Sequence, residues 1–141
     1  MKTIEYGKEN SEIVILIHGG GLSWWNYQEV AEVLAKNYHV ILPIIDGHAG
    51  SDENFISIEH FASKLITYID QECKKKIYVL AGVSSGAQIV VEMLTNKPEI
   101  CEHAIVESAL LKPSKWMAKW IKPMLDMSYS LIKQVWFAKL Q

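Results

Sequence analysis

The sequence predicts an α/β fold, a mainly parallel sheet with helices on both faces. Three observations predict it. Short, unbroken apolar runs rich in β-branched residues recur along the chain, as in strands buried on both faces of a parallel sheet. Segments of helical period separate them, so the order β-α-β-α-β-α-β calls for crossover connections. Two of the strands run directly into glycine-rich loops. With 141 residues the chain suits one domain with a hydrophobic core and is too short for two.

The elements follow in order. "KTIEYG" predicts a short edge strand at the start. "EIVILIHGGG" holds the apolar run Ile13 to Ile17 and stops on three glycines, which predicts a buried strand. "WNYQEVAEVLAKN" predicts a helix ending near Asn37, with Val30, Val33 and Leu34 on one face. "HVILPI" is the next buried strand, and "DGHAGSDEN" after it is a polar loop. Ser57 precedes a helix with Ile58, Phe61, Leu65 and Ile69 in register; Lys74, Lys75 and Lys76 lie at its end, where cations suit the helix dipole. "KIYVLAG" predicts the third strand of the alternation and "SGAQIVVEMLTNK" a largely apolar helix that stops before Pro98. "HAIVESA" predicts the fourth. The "VILIH" and "YVLAG" strands are expected to be adjacent and central.

Composition excludes several classes. No apolar run approaches the roughly 18 residues a membrane span needs, and the first residues lack a signal-peptide core. Cys73 and Cys101 fit neither a disulfide framework nor a metal-ligand spacing, so reduced thiols and a cytoplasmic location are expected, with no metal and no cofactor. The formal charge of −2 is unevenly spread. From Lys112 onward six lysines and one acid give +5, leaving −7 on the rest. Every cationic side chain other than histidine is lysine, so no guanidinium fork grips phosphate, and no basic–aromatic stripe suggests nucleic acid.

Chemistry in a parallel α/β sheet gathers at the carboxyl ends of strands. "AGVSSGAQ" matches G-x-S-x-G there, with Gly82, Ser84 and Gly86 in the defining positions. A nucleophile between strand and helix sits on a sharp turn, where side chains two positions either side would collide; glycine removes those Cβ atoms. Ser84 is then the residue held outward. Ser85 opens the helix, where its backbone N–H can donate to an oxyanion, and its side chain is expected to be incidental.

Together these segments resemble the α/β-hydrolase family over nearly the whole chain. "VILIHGGGLSWWNYQEVAEVLAKNYHVILPIIDGHAGS" is similar to that family's stretch from the oxyanion strand to its D-x-x-G-H-G-x-S loop. Asp46, Gly47, His48 and Ser51 echo the loop, with Ala49 where a glycine is usual and a shorter Asp–His spacing. The resemblance implies an oxyanion hole of backbone N–H groups from Gly20 or Gly21 with Ser85. It implies structural roles for His18, Gly19 and His48. Glu107 stands where some haloalkane-dehalogenase-like members carry a catalytic acid, against the simpler and weightier reading of a strand-end glutamate bound to solvent or a backbone N–H.

The family order is serine, acid, histidine, and neither later partner is expected before Gln141. The expectation is therefore the N-terminal part of a hydrolase, C-terminally truncated or a degenerate copy, incomplete or weakly active. Residues 1–111 would form the core and 112–141 the start of a helical cap. There Trp116, Trp120 and Met124 recur at helical spacing among Lys115, Lys119 and Lys122, and Pro123 should kink or divide the helix. Core helices without substrate contact are the second reading of this tail, and a basic amphipathic membrane helix the lesser third. The function implied is a serine hydrolase on a carboxylic ester or related small-molecule acyl substrate. A non-catalytic small-ligand-binding module is the alternative. If no strand follows it, "HAIVES" becomes an apolar edge, and self-association is expected.

Overall fold

The structure, a computed structural model, describes residues 1–73, 76–110, 119, 120 and 123. The chain divides into two compact units, Met1–Leu110 and Leu111–Gln141. The first holds five strands: β1 (Thr3–Tyr6), β2 (Ile13–Ile17), β3 (His39–Pro43), β4 (Ile77–Val83) and β5 (Cys101–Glu107). Between them run α1 (Gln28–Leu34), α2 (Ile58–Glu72) and α3 (Ser85–Asn96), with a 3-10 turn over Trp24–Tyr27 ahead of α1. Nearly all of the second unit, with Trp116, Met124 and most of the expected cap, lies outside the described residues, as do Lys74 and Lys75.

The sheet order is β1-β3-β2-β4-β5. Only β1 is antiparallel, pairing Thr3 with Pro43 and Tyr6 with Val40, so the expected opening strand is an edge. β2 lies parallel between β3 and β4, with Ile15 opposite both Ile41 and Leu80. The "VILIH" and "YVLAG" strands are thus neighbours at the centre, as the sequence predicts. All five residues of β2 are buried, which an uninterrupted β-branched run permits only where both faces are covered.

One face of the sheet carries α2 and α3. Ile15, Ile17, Ile41, Ile77 and Leu80 pack there against Phe61, Leu65, Ile69, Ile89, Val90 and Met93. Each large side chain sealed in this layer contributes roughly 1.5–3 kcal/mol. Ser57 caps α2 by accepting the His60 N–H at 3.1 Å, and Phe61, Leu65 and Ile69 are buried in the expected register.

The other face carries α1, and there the expected frame is off by one. Val30 is 48% exposed and Val33 64%, whereas Ala31 is fully buried. The stripe that meets Val14, Leu16, Val40 and Ala81 runs through Trp24, Tyr27, Ala31 and Leu34. Two helical frames compete in "WWNYQEVAEVL", and the frame carrying the aromatic rings buries more apolar area. The helix is also shorter than expected, ending at Leu34. Beyond β4, β5 forms the sheet's edge among the described residues, exposed from Glu102 to Glu107, with Ile105 at 56% and Val106 at 42%.

Candidate active site

β4 delivers the chain into α3 through one residue. Ser84 stands between them, exposed, at φ 54° and ψ −114°, a left-handed conformation that non-glycine residues adopt at a cost of about 1–3 kcal/mol. The surroundings over-determine it. The Ser84 N–H donates to the Glu107 carbonyl at 2.9 Å, and the Ser84 carbonyl accepts from the Gln88 N–H at 3.1 Å.

The two glycines of the motif have distinct reasons. A Cβ on Gly82 would stand 2.4 Å from the carbonyl carbon and oxygen of Gly86, so the turn could not fold back on itself. A Cβ on Gly86 would stand 2.2 Å from the Ile17 carbonyl oxygen and 2.6 Å from that of His18. Gly86 therefore lets the start of α3 press onto the end of β2. That close approach brings the two glycine-rich loops together. A Cβ built on Gly19 would lie 3.6 Å from Ser84 Cβ, and one on Gly20 3.5 Å from Ser85 Oγ. Gly21 sits at φ +75° with nothing within 4 Å of its Cβ position.

His18 and His48 lie behind these loops. His18 is 1% exposed, its Nδ1 is 2.9 Å from the Gly19 carbonyl and its Nε2 accepts the Ile45 N–H at 3.1 Å. A carbonyl can only accept, so the proton is on Nδ1 and the ring is neutral with both nitrogens engaged. Burial pushes its pKa below the ordinary value, nearby His48 adds to this, and the Gly19 bond opposes it. Such a ring clamps the "HGGG" loop to the loop after β3 and has no lone pair left for a substrate proton. The His48 ring meets it edge-on at 5.2 Å between centroids, and His48 Nδ1 donates to the Asp46 carbonyl at 3.2 Å.

Two further contacts, for which the sequence carried no local signal, brace these loops. Ser23, fully buried, donates to the Ala49 carbonyl at 2.6 Å. The buried Asp46 carboxylate receives Lys64 Nζ on both oxygens, at 3.1 and 2.9 Å, and the same ammonium reaches Glu53 at 2.6 Å. Their partners lie 18 to 26 residues away, beyond the reach of any local pattern.

Glu107 lies opposite Val83 at the carboxyl end of β5. Its carbonyl is what receives the Ser84 N–H, while the residue as a whole is exposed. Burial first, and the Glu107 charge second, push the Tyr27 phenol above its ordinary pKa, as expected if that carboxylate faces the 3-10 turn. The remaining histidines stand elsewhere. His39 Nε2 bonds Glu5 at 2.7 Å, His60 is on α2 and His103 meets the Tyr78 ring edge-on. Among the described residues there is no cluster of three metal-ligating groups and no helix long and apolar enough to cross a membrane. Both thiols are buried, and burial pushes Cys73 up to about 11. A groove of about 410 Å³, lined by Glu5, Lys8, His39, Tyr68 and Glu72, opens at the amino-terminal ends of β2 and β3. The strained turn at Ser84, with its glycine cradle, is the indicator of chemistry.

The family model described as serine aminopeptidase, S33, matches residues 8–141. The chain belongs to this α/β-hydrolase family. No curated protein matches it. Among solved structures, it is similar to a protein described as an α/β-hydrolase family member from Desulfitobacterium hafniense, at 27% identity and TM-score 0.81, covering 93% of this chain and 54% of that one. A thermophilic esterase from Thermogutta terrifontis is 21% identical with TM-score 0.76, over 88% of this chain and 46% of the other. A thioesterase domain from the curacin biosynthetic pathway is 23% identical with TM-score 0.70, over 91% and 49%. The two last likenesses concern the fold alone. The chain spans about half the length of these structures.

Proposed function

We propose that this chain carries the nucleophile and oxyanion parts of a serine hydrolase acting on a carboxylic ester or related acyl substrate. One observation carries the reading: Ser84 is held exposed at a left-handed turn between β4 and α3, with the "HGGG" loop packed against it. Ser84 Oγ attacks the carbonyl carbon, and the carbonyl electron pair moves onto oxygen. The amides of Ser85 and of Gly20 or Gly21 receive that charge; Ser85 opens α3, whose first N–H groups have no partner inside the helix. Expulsion of the alcohol leaves an acyl-serine, which water hydrolyses. Support from relatives is of the same kind, since an esterase and a thioesterase share the fold.

A serine hydroxyl needs a base to take its proton. His18 has no free nitrogen for that, and His39 is paired with Glu5. The Glu107 backbone carbonyl fixes the turn at Ser84. The second reading is a module that binds a small ligand without turnover. The two part on one experiment. A phosphonate probe followed by peptide mass spectrometry is expected to place an adduct on Ser84, with little or no steady hydrolysis of an activated ester by the 141-residue chain. An adduct on Ser85 moves the nucleophile by one, and no adduct favours the binding module. Efficient turnover lost on His48→Ala would make His48 the base.

A further inference from the structure

Ser85 Oγ is enclosed and lacks a hydrogen-bond partner among the described residues. A desolvated hydroxyl without a partner costs folding free energy, and alanine serves a helix's first turn without that cost. Packing alone therefore does not call for serine at this position. The hydroxyl lies against the "HGGG" loop, 3.5 Å from where a Gly20 Cβ would be. Its own amide and that of Gly20 or Gly21 are the donors assigned above to the oxyanion, so on that assignment it stands beside the place where negative charge develops.

We propose that the Ser85 hydroxyl is a third oxyanion donor, a catalytic residue in its own right. The proposal rests on the serine-hydrolase reading of Ser84. With no competing acceptor, the hydroxyl proton is available to an acceptor oxygen seated at the Ser85 amide. The loop it lies against carries no side chain at Gly20 and has open space around the Gly21 Cβ position, so the proposal takes that loop to move aside as the substrate oxygen enters. The bond is worth most when the oxygen is negative, so it favours the transition state over the bound substrate.

The test measures the rate at which a fluorophosphonate labels the full chain. In that reaction the Ser84 Oγ–P bond forms, the P–F bond breaks, fluoride leaves with the electron pair and the hydroxyl proton passes to water. The phosphoryl oxygen occupies the oxyanion position. Ser85→Ala is expected to slow labelling of Ser84 by about 10²-fold, the usual effect of removing one such donor. Its Tm is expected to hold or rise, because an unpartnered buried hydroxyl has gone. Ser85→Cys, close in size but a weak donor, is expected to be slow as well. Labelling of the alanine or cysteine variant at the wild-type rate overturns the proposal and leaves the Ser84 reading standing. A slower rate that comes with a lowered Tm assigns Ser85 a structural role and also overturns it. Failure of the wild-type chain to label at Ser84 removes the nucleophile reading itself, and this proposal with it.

Discussion

Gly86 and Gly21 are both glycines of the candidate site, and the structure needs them for different reasons. At Gly86 the obstacle is backbone, with the Ile17 and His18 carbonyl oxygens where a methyl group would go. Neither can move without pulling β2 out of the sheet. Gly86→Ala is expected to lower the unfolding free energy by about 3 kcal/mol or more, at the upper end for overpacking. At Gly21 only the positive φ resists substitution, so Gly21→Ala should cost about 1–2 kcal/mol. Urea unfolding of the two variants checks the order. Equal losses would mean that α3 does not press on β2 as described. The sequence indicated glycine at position 86 through the motif, and the turn at Ser84 with it. It gave no sign that Ser85 Oγ is orphaned, because a hydroxyl's partners are decided by whatever the folded chain brings alongside.

The loops around this turn are fixed by single contacts between elements, of which Asp46–Lys64 is the strongest. Removing one member of a buried pair leaves an uncompensated charge, so Lys64→Met is expected to cost about 3–5 kcal/mol. The same anchor sets a pH window. Lys64's bond holds the Glu53 carboxyl below its ordinary value of 4.5, so its contribution is present above that value and lost as pH falls through the lowered pKa. Burial by itself would lower Lys64, but its bonds to Glu53 and Asp46 raise it on balance above 10.5. That contribution is full below 10.5 and lost as pH rises through the raised pKa. Unfolding free energy measured against pH should therefore fall at both ends, and both limbs should flatten in Lys64→Met. An unchanged profile in that variant would rule out the anchor. Element positions were legible in sequence, since a run such as Ile13–Ile17 admits few alternatives. The burial frame of α1 was not, because Val30 and Val33 keep helical period with each other yet lose to the ring-bearing frame through Tyr27 and Ala31.

At the scale of the molecule, the sheet's two edges among the described residues differ. β1 is short and antiparallel, with a charged side chain at Glu5. β5 is seven residues long and parallel, and presents Ile105 and Val106 to solvent. An exposed apolar edge of that length templates pairing with another chain. The 141-residue chain is expected to associate with rising concentration, and Ile105→Lys with Val106→Lys to reduce it. Sedimentation equilibrium decides: a wild-type chain that stays monomeric at high concentration would contradict the expectation.

The sequence by itself determined the order of the elements, the parallel centre of the sheet and the place of Ser84 at its carboxyl end. These rest on local quantities, namely β-branched runs, helical period and the steric demands of G-x-S-x-G. Only the tertiary structure decided that Trp24, Tyr27, Ala31 and Leu34 form the stripe by which the 3-10 turn and α1 meet the sheet. It alone brought Lys64 to Asp46 and Ser23 to Ala49, and it alone tied up both nitrogens of His18. Each of those outcomes depends on groups distant in sequence meeting in a dry interior, where an unpaired polar atom is costly and an apolar face goes to whichever frame covers more area.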